Sequence, residues 1–123
     1  MVESVLLKIK DKLIKGSIIN ENLIDKFIEN IKEWEVGTIV YPGVLKEELN
    51  VEYPTIYKAL DEIRDMGLLQ YRFEIYCTCC DKVIGEKLLK SLNQFPEKLY
   101  CDKGHKLNPL DNAIVLYEMV KLQ

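Results

Sequence analysis

Tyr41-Pro42-Gly43-Val44-Leu45-Lys46-Glu47-Glu48-Leu49, a tight turn at Asn50-Val51-Glu52-Tyr53, and then Pro54-Thr55-Ile56-Tyr57-Lys58-Ala59-Leu60-Asp61-Glu62-Ile63 form the stretch that decides the fold. Each proline sits where a helix can start, because it lacks the N–H that a first turn leaves unpaired anyway. The first half predicts a short helix over 42–49 that buries Val44, Leu45 and Leu49. The second half carries Ile56, Ala59, Leu60 and Ile63 on one face and predicts a helix through about Met66. Gly67 ends that helix as a glycine just past a C-cap does. Leu68 to Tyr76 alternates in its second half and reads as a strand running directly into Cys77.

Working toward the N-terminus, Val2, Val5, Leu6, Ile9 and Leu13 recur at helical spacing among lysines, so residues 2–14 predict an amphipathic helix ended by Gly16. After a break at 17–20, Asn20 is a candidate N-cap. Leu23, Phe27, Ile28, Ile31 and Trp34 then stripe a helix over about 21–34 whose other face is mostly acidic. Val36 to Tyr41 is short and β-branched, as a strand would be.

Short helix, turn, longer helix, glycine and strand, in that order, resemble the winged helix-turn-helix of bacterial and archaeal regulators. The likeness rests on Tyr41-Pro42 through Leu49, the run from Pro54 to Ile63, and Met66-Gly67-Leu68-Leu69, within residues 21–76. It implies that the start of the second helix approaches base edges of double-stranded DNA. Thr55, Tyr57 and Lys58 are placed for that, with Arg64 on the flank. Arg72, and Lys82, Lys87 and Lys90 further on, are candidates for phosphates. Asp61, Glu62 and Asp65 on the same helix oppose deep docking in a groove. Lys58 paired with Asp61 or Glu62 on a solvated face is the plainer use of these charges.

All four cysteines (Cys77, Cys79, Cys80, Cys101) and the only histidine, His105, fall within 29 residues. Cys77 and Cys80 form a C-x2-C pair, and Cys101 with His105 forms a C-x3-H pair 21 positions later. Two such pairs on separate turns can converge on the four corners of a tetrahedron, the geometry of a closed structural zinc site. Each pair follows a candidate strand, at 73–76 and 98–100, and Gly104 lets the backbone turn back without a Cβ penalty. Cys79 is the spare thiol, or it replaces Cys77 if the turn closes differently. Residues 77–105 thus resemble a zinc ribbon with one cysteine exchanged for histidine.

Other thiol chemistries fit less well. A disulfide needs an oxidising compartment, a thioredoxin-type pair wants a βαβ context, and a catalytic zinc would keep one corner open for water. An iron–sulfur cluster sits poorly with adjacent Cys79-Cys80 beside a histidine. Leu88, Leu89, Leu92, Phe95 and Leu99 make too small a core to hold this segment alone, so a structural zinc would act as its staple. Leu88, Leu89 and Leu92 predict a helix within 85–93, broken before Pro96. Ala113–Leu122 reads as a closing strand or a short helix, with a strand paired to 71–76 preferred for its β-rich Ile114-Val115-Leu116-Tyr117.

At 123 residues and 14.4 kDa, 48% hydrophobic and 30% charged, the chain is globular in composition and too short for a barrel or a two-domain dinucleotide enzyme. The expected fold is α+β: an N-terminal helical extension over 1–20, a winged helix over 21–76 and a zinc-ribbon-like module over 77–123. Net charge is −3, unevenly spread: residues 1–20 carry four lysines against two acids, and residues 21–50 carry three against seven. There is no broad positive footprint for nucleic acid. With no secretory core and only short apolar runs, the expected place is the cytoplasm, away from membranes. No Ser or Cys arrangement gives His105 a nucleophile to serve, so the expected function is not enzymatic. A DNA-binding regulator is the first expectation. The other is an adaptor or accessory subunit, with Val2, Val5, Leu6, Ile9 and Leu13 available to a protein partner or a homodimer seam.

Overall fold

Helices and strands share the chain in an α+β arrangement, and the computed structural model describes residues 1–121. They form two compact units, one of Met1–Gln70 with the segment that starts at Tyr117, the other of Tyr71–Leu116. The N-terminal helix is therefore part of a larger unit, and the strand after Met66 begins in one unit and ends in the other. Among the described residues no helix is long and apolar enough to cross a membrane.

The first unit contains α1 (Glu3–Lys15), α2 (Glu21–Ile31), the two-residue β1 (Ile39–Val40), α3 (Pro42–Leu49) and α4 (Tyr53–Asp65). Val5, Ile9 and Leu13 line the buried face of α1, which packs on α2 and α4. The Asn20 side chain caps α2 by accepting from the Asn22 N–H at 3.0 Å. That helix ends at Ile31, three residues before Trp34, whose N–H still bonds back to the Ile31 carbonyl at 3.1 Å. Its inward face is Ile24, Phe27 and Ile31. Leu23 and Ile28 are half-buried, because the true stripe is centred one position later than Leu23.

Asn50 turns the chain in the left-handed region (φ 52°) between α3 and α4. Ile56, Ala59, Leu60 and Ile63 of α4 are completely buried, as the spacing predicts. Val44 is not: it is 55% exposed, and α3 buries Pro42, Leu45 and Leu49 instead. On a helix of only two turns, i, i+3 and i+7 point inward together and position 44 falls outside that face. Gly67, at φ +83°, releases the chain from α4 into β2 (Leu69–Cys77). β1 pairs antiparallel with the end of β4 (Ala113–Met119), Ile39 opposite Glu118 and Val40 opposite Tyr117.

In the second unit β2 lies between β4 and the short β3 (Lys82–Val83), with Tyr76 opposite Val83 and Cys77 opposite Lys82. The closing segment is thus a strand beside β2; Leu122, at the end of the segment expected there, lies outside the described residues. The helix expected within 85–93 is absent. Phe73 and Leu89 exchange both backbone hydrogen bonds at 2.8 Å, drawing Leu89 onto the edge of β2, and only a 3-10 turn forms at Leu92–Gln94. Nine residues beginning at Gly85 make a marginal helix, and an open strand edge offers their backbone a better partner. A one-turn helix α5 (Pro109–Asn112), capped by the Asn108 side chain, leads into β4. The second core is small: Ile75, Phe95 and Leu107 with the side chains of Cys77 and Cys101.

Candidate metal centre

Two backbone turns bring the thiols together. The first is the reversal between β2 and β3, where Asp81 adopts φ +54° and the Cys80 N–H points at Cys77 Sγ at 3.3 Å. The second is the loop at 101–105, pinned by an isolated bridge between Tyr100 and Lys106. There the Cys101 N–H donates to the His105 carbonyl at 2.9 Å, and the His105 N–H points back at Cys101 Sγ at 3.3 Å. Lys82 of the first turn forms an ion pair with Asp102 of the second, and Lys103 reaches the Cys79 carbonyl at 3.4 Å. Amide donors aimed at sulfur favour the thiolate, which is the form that binds a metal.

The Sγ atoms of Cys77, Cys80 and Cys101 all lie within 4.8 Å of one another, the one set of metal-ligating atoms so grouped among the described residues. Cys77 and Cys101 are buried and Cys80 half-buried. Burial pushes the Cys101 thiol up, but the backbone N–H and ring of His105, the Lys103 backbone and Cys80 outweigh it and bring the thiol down to about 6. Burial raises the Cys80 thiol, reinforced by hydrogen bonding to Cys101 and Cys77. Three thiols stacked against one another at a core edge, one already inclined to ionise, are a donor set that accepts a soft or borderline divalent cation.

His105 stands beside this set without belonging to it. Its Nδ1 lies 3.5 Å from Cys101 Sγ and its Nε2 3.9 Å from the exposed Cys79 Sγ. A tetrahedron with Zn–S near 2.3 Å and Zn–N near 2.0–2.1 Å has S···N edges of about 3.5 Å. The separation of Nδ1 from Cys101 therefore equals one such edge. Of the residues named from the spacing, Cys77, Cys80 and Cys101 are brought together, and His105 adjoins only one of them. Cys79 points outward, so the two alternative first-pair thiols differ sharply in burial.

The candidate nucleic-acid residues are dispersed. Thr55, Tyr57, Lys58 and Arg64 are on α4 in the first unit, while Arg72 is on β2 in the second. Of the five only Lys58 is exposed. Tyr57 sits between Tyr53 and Tyr117, with ring centroids 6.2 Å from each, and burial pushes its hydroxyl pKa up, aided by Tyr53 and Asp61. Arg72 Nη1 donates to the Tyr71 carbonyl at 2.8 Å. The α4 acids are also engaged: Asp61 accepts from the Tyr117 hydroxyl at 2.7 Å, and Glu62 lies 3.9 Å from Lys12. Lys82 is committed to Asp102, while Lys87 and Lys90 are exposed on irregular backbone and not on a helix.

Two contributions escaped the sequence. The Lys82–Asp102 pair links the two turns, and both residues look like ordinary surface charges. Buried Asn112 donates to the Tyr76 carbonyl at 3.0 Å and accepts from the Asn108 N–H at 3.0 Å. The pattern Asn108-Pro109 followed by Asp111 carried a helix-cap signal that would have located α5. The chain matches no family model, no curated protein and no solved structure.

Proposed function

We propose that this is a non-enzymatic, DNA-binding winged-helix protein, a regulator, whose second unit is a zinc-ribbon-like module stapled by one structural zinc. The order α2, β1, α3, α4, β2 with the returning β4 supports the winged-helix assignment. In the module, Cys77, Cys80 and Cys101 would supply three thiolates and His105 the fourth ligand through Nδ1. Zinc so held would supply folding energy and no reaction.

One observation carries the DNA reading. Asp61 and Glu62, which oppose a phosphate backbone in the linear sequence, turn toward Tyr117 and Lys12 of their own unit, leaving Asp65 as the exposed acid of α4 beside exposed Lys58. Docking by the N-terminal end of α4 would then meet Thr55 and Lys58 first. The expected result is duplex binding whose affinity falls steeply with salt, with a shallower slope in Lys58→Ala, read by fluorescence anisotropy. No binding to mixed-sequence duplex at low salt would overturn it.

The half-burial of Thr55, Tyr57, Arg64 and Arg72 favours a second reading, an adaptor or accessory subunit that docks protein. A stoichiometric complex with a defined protein, formed while DNA binding is absent, would establish it.

A further inference from the structure

A cavity of about 200 Å³ opens between the segment after α2 and the start of α3 in the first unit. Trp34, Val40, Tyr41, Val44 and Leu45 line it, together with the polar side chains of Asn30 and Glu48. Val44 and Tyr41 are 55% and 44% exposed, so apolar surface continues outward from it. The volume is below the roughly 300 Å³ at which sites for drug-sized ligands begin. It suits a single inserted side chain.

The surroundings state the charge of what is inserted. Residues 21–50 carry seven acids against three lysines. Two of those lysines are committed: Lys32 pairs with Glu29 at 2.6 Å, and Lys46, the only cation on α3, reaches Glu47 at 3.8 Å while lying over the Tyr53 ring. Glu33 and Glu35, which flank Trp34 in sequence, and Glu48 are exposed and form no ion pair among the described residues. Unpaired carboxylates around a notch that is half polar and half apolar attract cations and repel a phosphate backbone, so nucleic acid does not fit here.

From this we infer that the notch is a docking site for a basic, amphipathic segment of a partner protein, with one apolar side chain seated against Trp34 and Val44 and lysine or arginine on either side facing Glu33, Glu35 and Glu48. The inference is independent of DNA binding by α4, and failure of either leaves the other standing.

Trp34 is the only tryptophan, so its emission reports occupancy directly. The probe is a short peptide of alternating lysine and leucine, titrated into the full chain. It should shift Trp34 emission saturably, and raising salt from about 50 to 300 mM should weaken it several-fold. Glu48→Lys combined with Glu35→Lys should weaken it about tenfold or more, and Val44→Ser by a similar factor. These residues are exposed, and unchanged circular dichroism checks that the variants fold. The inference is overturned by a silent Trp34, by equal binding of a glutamate–leucine peptide, or by undiminished binding to the charge-reversed variant. It is equally overturned if emission changes with protein concentration alone, because a second copy would then be the occupant.

Discussion

The two units are held together by different means. Among the described residues, nineteen buried apolar side chains belong to the first unit and six to the second, and two of those six are cysteines. The first unit brings four helices onto one core from Val5 to Met119, and its helices need nothing but their apolar stripes. The second has Ile75, Phe95, Leu107 and Leu116, two short turns and irregular backbone between them. Four aliphatic or aromatic side chains are a small core for a segment of this length, of the size that small scaffolds supplement with a staple. Its thiols occupy the place where the remaining core would be, so a metal held there would act as core and ligand field at once.

With the sulfur trio holding a metal, as proposed, that contrast is broken most decisively by taking it away. A chelator, or Cys101→Ser, should collapse the amide dispersion of residues 71–116 in a ¹⁵N spectrum while α1 to α4 keep their chemical shifts. Retention of dispersion in the second unit would show that its apolar residues suffice. Next in size, Leu60→Ala should destabilise the first unit by about 2–5 kcal/mol in denaturant unfolding, because Leu60 is fully buried, yet leave one metal per chain by elemental analysis. Removing the α2 cap with Asn20→Ala should cost about 1 kcal/mol in the same unit. Smallest is Cys79→Ser: an exposed thiol whose neighbour is 3.9 Å away should shift stability by no more than about 0.5 kcal/mol. If it proves as damaging as Cys101→Ser, Cys79 is a ligand.

Much of the first unit was legible because its signals are local. Pro42 and Pro54 start α3 and α4, Asn20 caps α2, and the spacing of Ile56, Ala59, Leu60 and Ile63 names a buried face without any tertiary information. The exceptions are positional: Val44 faces out because α3 is too short for the whole apolar set to point inward. In the second unit the same kind of local signal misled, since Leu88, Leu89 and Leu92 have helical spacing but Leu89 is taken by the edge of β2.

By itself the sequence determined which residues carry the chemistry, because only Cys77, Cys79, Cys80, Cys101 and His105 offer thiolate or imidazole donors in the chain. It also determined the helical half, where period and caps act within a few residues. Tertiary structure alone decided that Cys77 turns inward and Cys79 outward, that His105 touches Cys101 but stands outside the sulfur trio, and that Asp61 and Glu62 bind their own unit. Those outcomes depend on how two turns close and which side chains from distant positions meet, and spacing along a chain carries no record of either.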